Sequence, residues 1–135
     1  MAVTYNATLK TNRMQLVADL ISSKTAASST GTATAGTIVI GTSALSGATG
    51  VLVTFNLSAT PGTVAGSVLT ISGTPLTATA TGTGTAALAE IRNNAGTVVV
   101  SGLTVGTSGT DLIINATAIA TGQTITLSSG TITHG

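Results

Sequence analysis

Apolar and polar positions follow two different rhythms along this chain, and the change falls about a quarter of the way in. In "YNATLKTNRMQLVADLISSK", Leu9, Leu16, Val17, Leu20 and Ile21 recur at helical spacing, and Met14 lies on an adjoining edge. Lys10, Arg13 and Asp19 take other faces, and Asn6 or Thr4 is suited to cap the first turn. The pattern predicts one amphipathic helix from about Asn6 to about Ser22 within an N-terminal segment 1–24. "TAASSTGTATAG", residues 25–36, has no period and no charge, and reads as a flexible linker or arm. From Thr37 the period becomes that of strands: "TIVI", "GVLVTFNLS", "GSVLTIS", "PLTATAT", "AALAEIR", "GTVVVSGLTV", "DLIINAT", "QTITLS" and "TITH", separated by Gly, Ser, Pro or Asn. Val51, Val53, Phe55 and Leu57 alternate with Leu52, Thr54, Asn56 and Ser58, as in a strand with one buried face. "NNAG" at 93–96 supplies a turn, since Asn and Gly tolerate positive φ. About eight or nine closely spaced strands predict a mainly β protein. The expected architecture is a β-sandwich or jelly-roll-like domain over 37–135, preceded by the short helix. The Gly-Thr and Ala-Thr dipeptides show no fixed period of a solenoid.

Composition narrows the class. A chain of 135 residues suits one domain. It has no cysteine, so neither disulfides nor thiolate metal sites are expected. Lys10, Arg13 and Asp19 interrupt the place where a secretory signal would carry its apolar run. Thr and Gly break every hydrophobic stretch short of the roughly 18 residues that a membrane helix needs. The expectation is a protein made in the cytoplasm with no membrane partner.

Charge changes the picture more. Lys and Arg total 4 and Asp and Glu total 3. No charged side chain occurs between Lys24 and Glu90, and after Arg92 only Asp111 remains. Nucleic-acid binding depends on several cations against phosphates, with aromatics where bases stack, and Tyr5 and Phe55 are the only aromatic residues. No nucleic-acid partner is expected. Free sheet proteins keep strand edges apart with lysines, which are missing here. Burying small hydroxyl and Ala positions freezes few rotamers and strips water from no ion. The composition is that of a chain suited to being covered by partners.

The candidate chemistry is thin. Gly82-Thr83-Gly84-Thr85-Ala86-Ala87 fits a loose phosphate-cradling turn. Yet "LTATATGTGT" is a poor buried first strand, and the segment behind it offers barely two helical turns. A strand and turn is the better reading. His134 is the single histidine, and nothing joins it to a serine and to Asp19 or Asp111 as a triad. The three acids are too scattered for a carboxylate pair or a hard-metal site. Asp111 is expected to end the "GTSGTD" turn by accepting from backbone donors, and Glu90 and Arg92 to share one strand face. The sequons at Asn6, Asn56 and Asn115 occur at the frequency that so much Ser and Thr produces. No enzyme, cofactor or metal is expected.

The segment from Ala80 to Gly135 resembles the small virion structural proteins of tailed bacteriophages. The matching positions are Gly84–Ala86, Gly96-Thr97, Val105-Gly106, Gly109, Asp111 to Asn115, Gly122 and Ile132 to His134. "LKTNRMQLVADLI" is similar to that family's opening helix. Leu88 stands where the family carries an aromatic, and Glu90 where it carries an arginine. The resemblance implies Gly106, Gly109, Asp111 and Asn115 as fold-motif residues. It also implies a head decoration (cement) protein on the capsid surface, with the major capsid protein as partner and a homotrimer as the favoured assembly. Neck, tail or fibre-associated structural proteins are the alternative, and a carbohydrate-binding module a more distant one. The interface is expected on the helix, at Leu9, Leu16, Val17, Leu20 and Ile21, or on the arm.

Overall fold

The computed structural model describes residue 4 and residues 6–22, 34–58 and 60–133. Most of the linker expected at 25–36 therefore lies outside the described residues, as do Tyr5 and His134. The chain is mainly β; its described residues form one helix ahead of eleven strands.

The helix, α1, spans Ala7–Ile21. Asn6 caps it: its extended backbone lets the side-chain Oδ1 accept from the Leu9 N–H at 2.8 Å. At the other end the Ser22 N–H and Oγ both donate to the Ala18 carbonyl, at 3.1 and 2.7 Å. The first turn has no acid and the last no base, so the helix dipole is not compensated by charge. A 15-residue helix of this kind is marginal alone and depends on its packing. It packs by Met14, Ala18 and Ile21, all buried, against the strands Gly62–Ala65, Val68–Ile71 and Val98–Gly106.

The strands are β1 (Thr37–Ser46), β2 (Thr49–Asn56), β3 (Gly62–Ala65), β4 (Val68–Ile71), β5 (Leu76–Thr79), β6 (Gly84–Thr85), β7 (Leu88–Arg92), β8 (Val98–Gly106), β9 (Leu112–Ile114), β10 (Ala118–Ile119) and β11 (Thr124–Thr133). Nine form one sheet in the order β2-β1-β7-β8-β9-β11-β4-β3, with β5 also paired to β11. The first half of β11 bonds β5 and its last residues bond β4, so one long strand serves two neighbours on the same edge. All pairs are antiparallel except β8 with β9. The sheet folds back on itself. Just beyond β5, the Thr81 and Gly82 N–H groups donate to the Leu52 carbonyl of β2, at 2.8 and 3.2 Å. Strands from opposite ends of the order thus enclose one core, which includes Ile38, Phe55, Leu69, Ile91, Leu112 and Leu127.

Alternation predicts most of this. In β2, Val53 and Phe55 point in while Thr54 and Asn56 are exposed. Leu52 departs from the pattern, being 2% exposed on the opposite face. The reason is the two-residue strand β6, which pairs only with β10 and lies over β1 and β2. Gly84 of β6 sits so close that a Cβ there would be 3.3 Å from the Leu52 side chain. The turn at 93–96 forms as the composition suggests. Asn93 Oδ1 accepts from the N–H groups of Ala95 and Thr97 at 3.1 and 3.0 Å, and Gly96 takes a φ of 86°.

Candidate interface

The helix carries two apolar stripes. At about 100° per residue, Leu9, Leu16 and Leu20 fall within roughly 40° of each other, while Ile21 lies about 120° away. The structure follows this geometry. Leu9, Leu16 and Leu20 remain 42%, 39% and 47% exposed, Val17 is half-buried, and Ile21 is fully buried. Of the five helix positions the sequence offers as an interface, three form an outward stripe, and Ile21 belongs to the core. Met14, read from sequence as an edge position, is instead at the centre of the buried face at 1% exposure. A periodic set spanning more than a third of the wheel cannot show which of its edges meets the sheet.

The motif at 104–115 has a structural task. Thr104 and Asp111 clasp the ends of the loop between the parallel strands β8 and β9. The Thr104 N–H and Oγ–H both donate to Asp111 Oδ2 at 3.0 Å, and the Asp111 N–H donates to Thr104 Oγ at 3.0 Å. Gly109 turns the loop at a φ of 67°, and Gly106 is buried where β8 meets Ile113. Asn115 continues the β9–β11 pairing: its N–H donates to the Thr126 carbonyl, and its Oδ1 accepts from the Thr126 N–H at 2.9 Å. All four motif residues shape one crossover. Thr104, the partner that makes Asp111 effective, carries no signal in the sequence, because it lies seven residues away and matches no motif.

The glycine-rich turn has no phosphate-binding geometry. Thr81 and Gly82 spend their N–H groups on Leu52, the segment continues into β6, and a strand rather than a helix follows at β7. A Cβ at Gly82 would lie 2.4 Å from the Val51 carbonyl oxygen, so this glycine lets one strand end approach another.

Charge is confined as tightly as the sequence suggests. Of the eleven strands, only β7 carries charged side chains. Arg92 binds Glu90 Oε2 at 2.9 Å and also donates to the Gly47 carbonyl at 2.7 Å, which fastens the β1–β2 hairpin to β7. Asp19 is 2% exposed and accepts from Gln15 Nε2 at 3.1 Å. It lines a small polar cleft of about 60 Å³ between the helix and Thr60–Gly62, room for a few waters. Outside the core, register aligns threonines across strands: Thr63, Thr70 and Thr131 on β3, β4 and β11, and Thr77 and Thr79 of β5 opposite Thr126 and Thr124. Among the described residues, no group of three or more His, Cys, Asp or Glu could hold a metal ion. No described helix is long and apolar enough to cross a membrane.

No protein family, curated protein or solved structure matches the chain.

Proposed function

We propose that this chain is a structural protein of a virion of the tailed-bacteriophage type, and that it decorates and stabilises the capsid shell by binding the major capsid protein. The observation that carries this reading is the exterior: eleven strands whose only charges pair with each other, under a surface of threonine, serine and alanine. A free sheet protein would mix both signs for solubility and guard its end strands with lysine. Here β2 and β3 end the sheet without a charged residue on either. Such edges and faces suit close packing against neighbours, because small hydroxyl side chains lose little entropy when covered.

The resemblance of the C-terminal segment and the helix to small phage virion proteins agrees with this reading and implies a homotrimer on the shell. Many weak contacts made at once would hold it there. Copy number tests the proposal. Particles of the virus that encodes the chain should contain hundreds of copies by quantitative gel. A few to some tens would assign it to the neck or tail instead, and none would end the proposal.

A further inference from the structure

We infer that the tip of the β1–β2 hairpin, residues 42–49, is a flap hinged at a bulge and fastened by Arg92, and that it lifts off the outer face of the sheet to uncover an apolar strip at Val39. The inference is independent of the virion reading. Register shows that the tip is folded back. Arg92 is paired with Thr37 at the start of β1, and Gly41 is paired with Leu88. At about 3.3 Å per residue, Arg92 lies roughly 13 Å before the level of Gly41, and a hairpin running straight on would carry Gly47 further away still. Yet Arg92 Nη2 donates to the Gly47 carbonyl at 2.7 Å. Ala89 and Ile91 face the core, so Glu90 and Arg92 lie on the outer face of β7, and the tip doubles back across that face.

The bend has a local cause. Between the pairs Gly41–Val51 and Ser46–Thr49, β1 inserts residues 42–45 against Gly50 alone. Such an excess on one strand interrupts the ladder and bends it. Gly50 takes a φ of 75°, and a Cβ there would be 2.8 Å from Thr42 Oγ1. What lies beneath the tip is apolar. Val39 is 2% exposed, although it alternates with the core residues Ile38 and Ile40 and its neighbour on β2, Thr54, is exposed. The Leu45 side chain of the tip reaches this face at Gly41, the next outward position, where a Cβ would be 2.7 Å from Leu45 Cδ1. The hold is light. Ser43, Ala44 and 46–49 are exposed, and Leu45 is only half-buried. Segments with so few buried apolar contacts open locally, far below the free energy of global unfolding. Lifting needs the Arg92 bond to break and Leu45 to leave, while the ladder between 37–41 and 88–92 stays intact.

The test is thiol labelling of the full chain, which has no cysteine of its own. Val39→Cys reports from beneath the tip, and Ala89→Cys reports from the core face of the adjoining strand. DTNB should label Val39→Cys at least tenfold faster than Ala89→Cys. Adding Arg92→Gln should accelerate Val39→Cys by about a further tenfold, the scale of one charge-assisted hydrogen bond, and leave the rate of Ala89→Cys unchanged. Equal rates for the two cysteines overturn the inference, because the tip then opens only with the whole fold. So does a Val39→Cys rate that Arg92→Gln leaves unaltered. Should Arg92→Gln unsettle the fold and speed both cysteines together, Leu45→Ala on the tip itself decides: acceleration confined to Val39→Cys supports the flap, and none rules it out. Should a cysteine variant fail to fold, amide exchange of the cysteine-free chain takes its place. Arg92→Gln should then speed exchange at 42–50 about tenfold relative to 51–56, and a uniform change or none counts against the flap.

Discussion

Asp111 shows how one side chain replaces what regular pairing cannot supply. Parallel neighbours are usually joined by a long crossover, yet β8 and β9 are linked by a loop of five residues, 107–111. The backbone donor of Thr104 is left without a strand partner at that point, and the carboxylate takes it together with the Thr104 hydroxyl. Asp111→Ala should lower stability by about 1.5–2 kcal/mol, the lower part of the range for hydrogen bonds to charged groups because the site is partly exposed. Asp111→Asn keeps one acceptor and should lose less. Urea midpoints at constant slope would show both effects. Gly130 makes the opposite point, that a side chain can be forbidden. A Cβ there would be 2.8 Å from the Leu112 side chain and 3.0 Å from Ile71, where β11 crosses the core between β9 and β4. Gly130→Val should cost about 1–3 kcal/mol by overpacking, seen as a lowered thermal midpoint.

Among the elements, the helix separates what was legible from what was not. Its extent and its Asn6 cap follow from residue types that favour those positions, and they appear as expected. Its orientation does not, because Leu9, Leu16, Val17, Leu20 and Ile21 span two stripes, and only packing against β3, β4 and β8 chooses Met14, Ala18 and Ile21. Met14→Ala should therefore cost about 2–5 kcal/mol as a core truncation. Leu16→Gln should stay within about 0.5 kcal/mol of wild type, as surface changes do. Equal losses in denaturant titrations would mean that the two faces are misassigned. The strands divide in the same way. β2 shows its period in the sequence, as do the glycines and asparagines of the turns. β6 and β10 are two residues each, too short to have a period, and their pairing depends on residues more than thirty positions apart. The motif glycines and Asp111 were visible as a pattern, but their joint task required the parallel register of β8 and β9. The outward leucines were visible as residues and became a candidate surface only once the inward face was known.

At the scale of the whole molecule, the scarcity of charge fixes how attachment should respond to salt. Ionic strength acts on exposed charges, with a screening length of about 10 Å at 0.1 M and about 3 Å at 1 M. On the described strands the ionised side chains are Glu90 and Arg92, and they neutralise each other. The helix adds Lys10 and Arg13, and Arg13 is already engaged within the fold. One exposed ion pair contributes about 0.2–1 kcal/mol, so its complete screening would weaken attachment by no more than about fivefold. A binder that relies on many lysines against an anionic surface would instead lose about a thousandfold or more between 50 and 200 mM salt. Burial of apolar and hydroxyl-bearing surface responds to different agents: urea and guanidinium weaken it by solvating both apolar and peptide groups. Decorated particles washed at 0.1 M and at 1 M sodium chloride should therefore retain nearly the same number of copies. Stepwise urea should release the protein at concentrations that leave the shell intact. Stripping by sodium chloride alone would show that ionic contacts carry the attachment, and the uncharged sheet could not then be the surface that is covered.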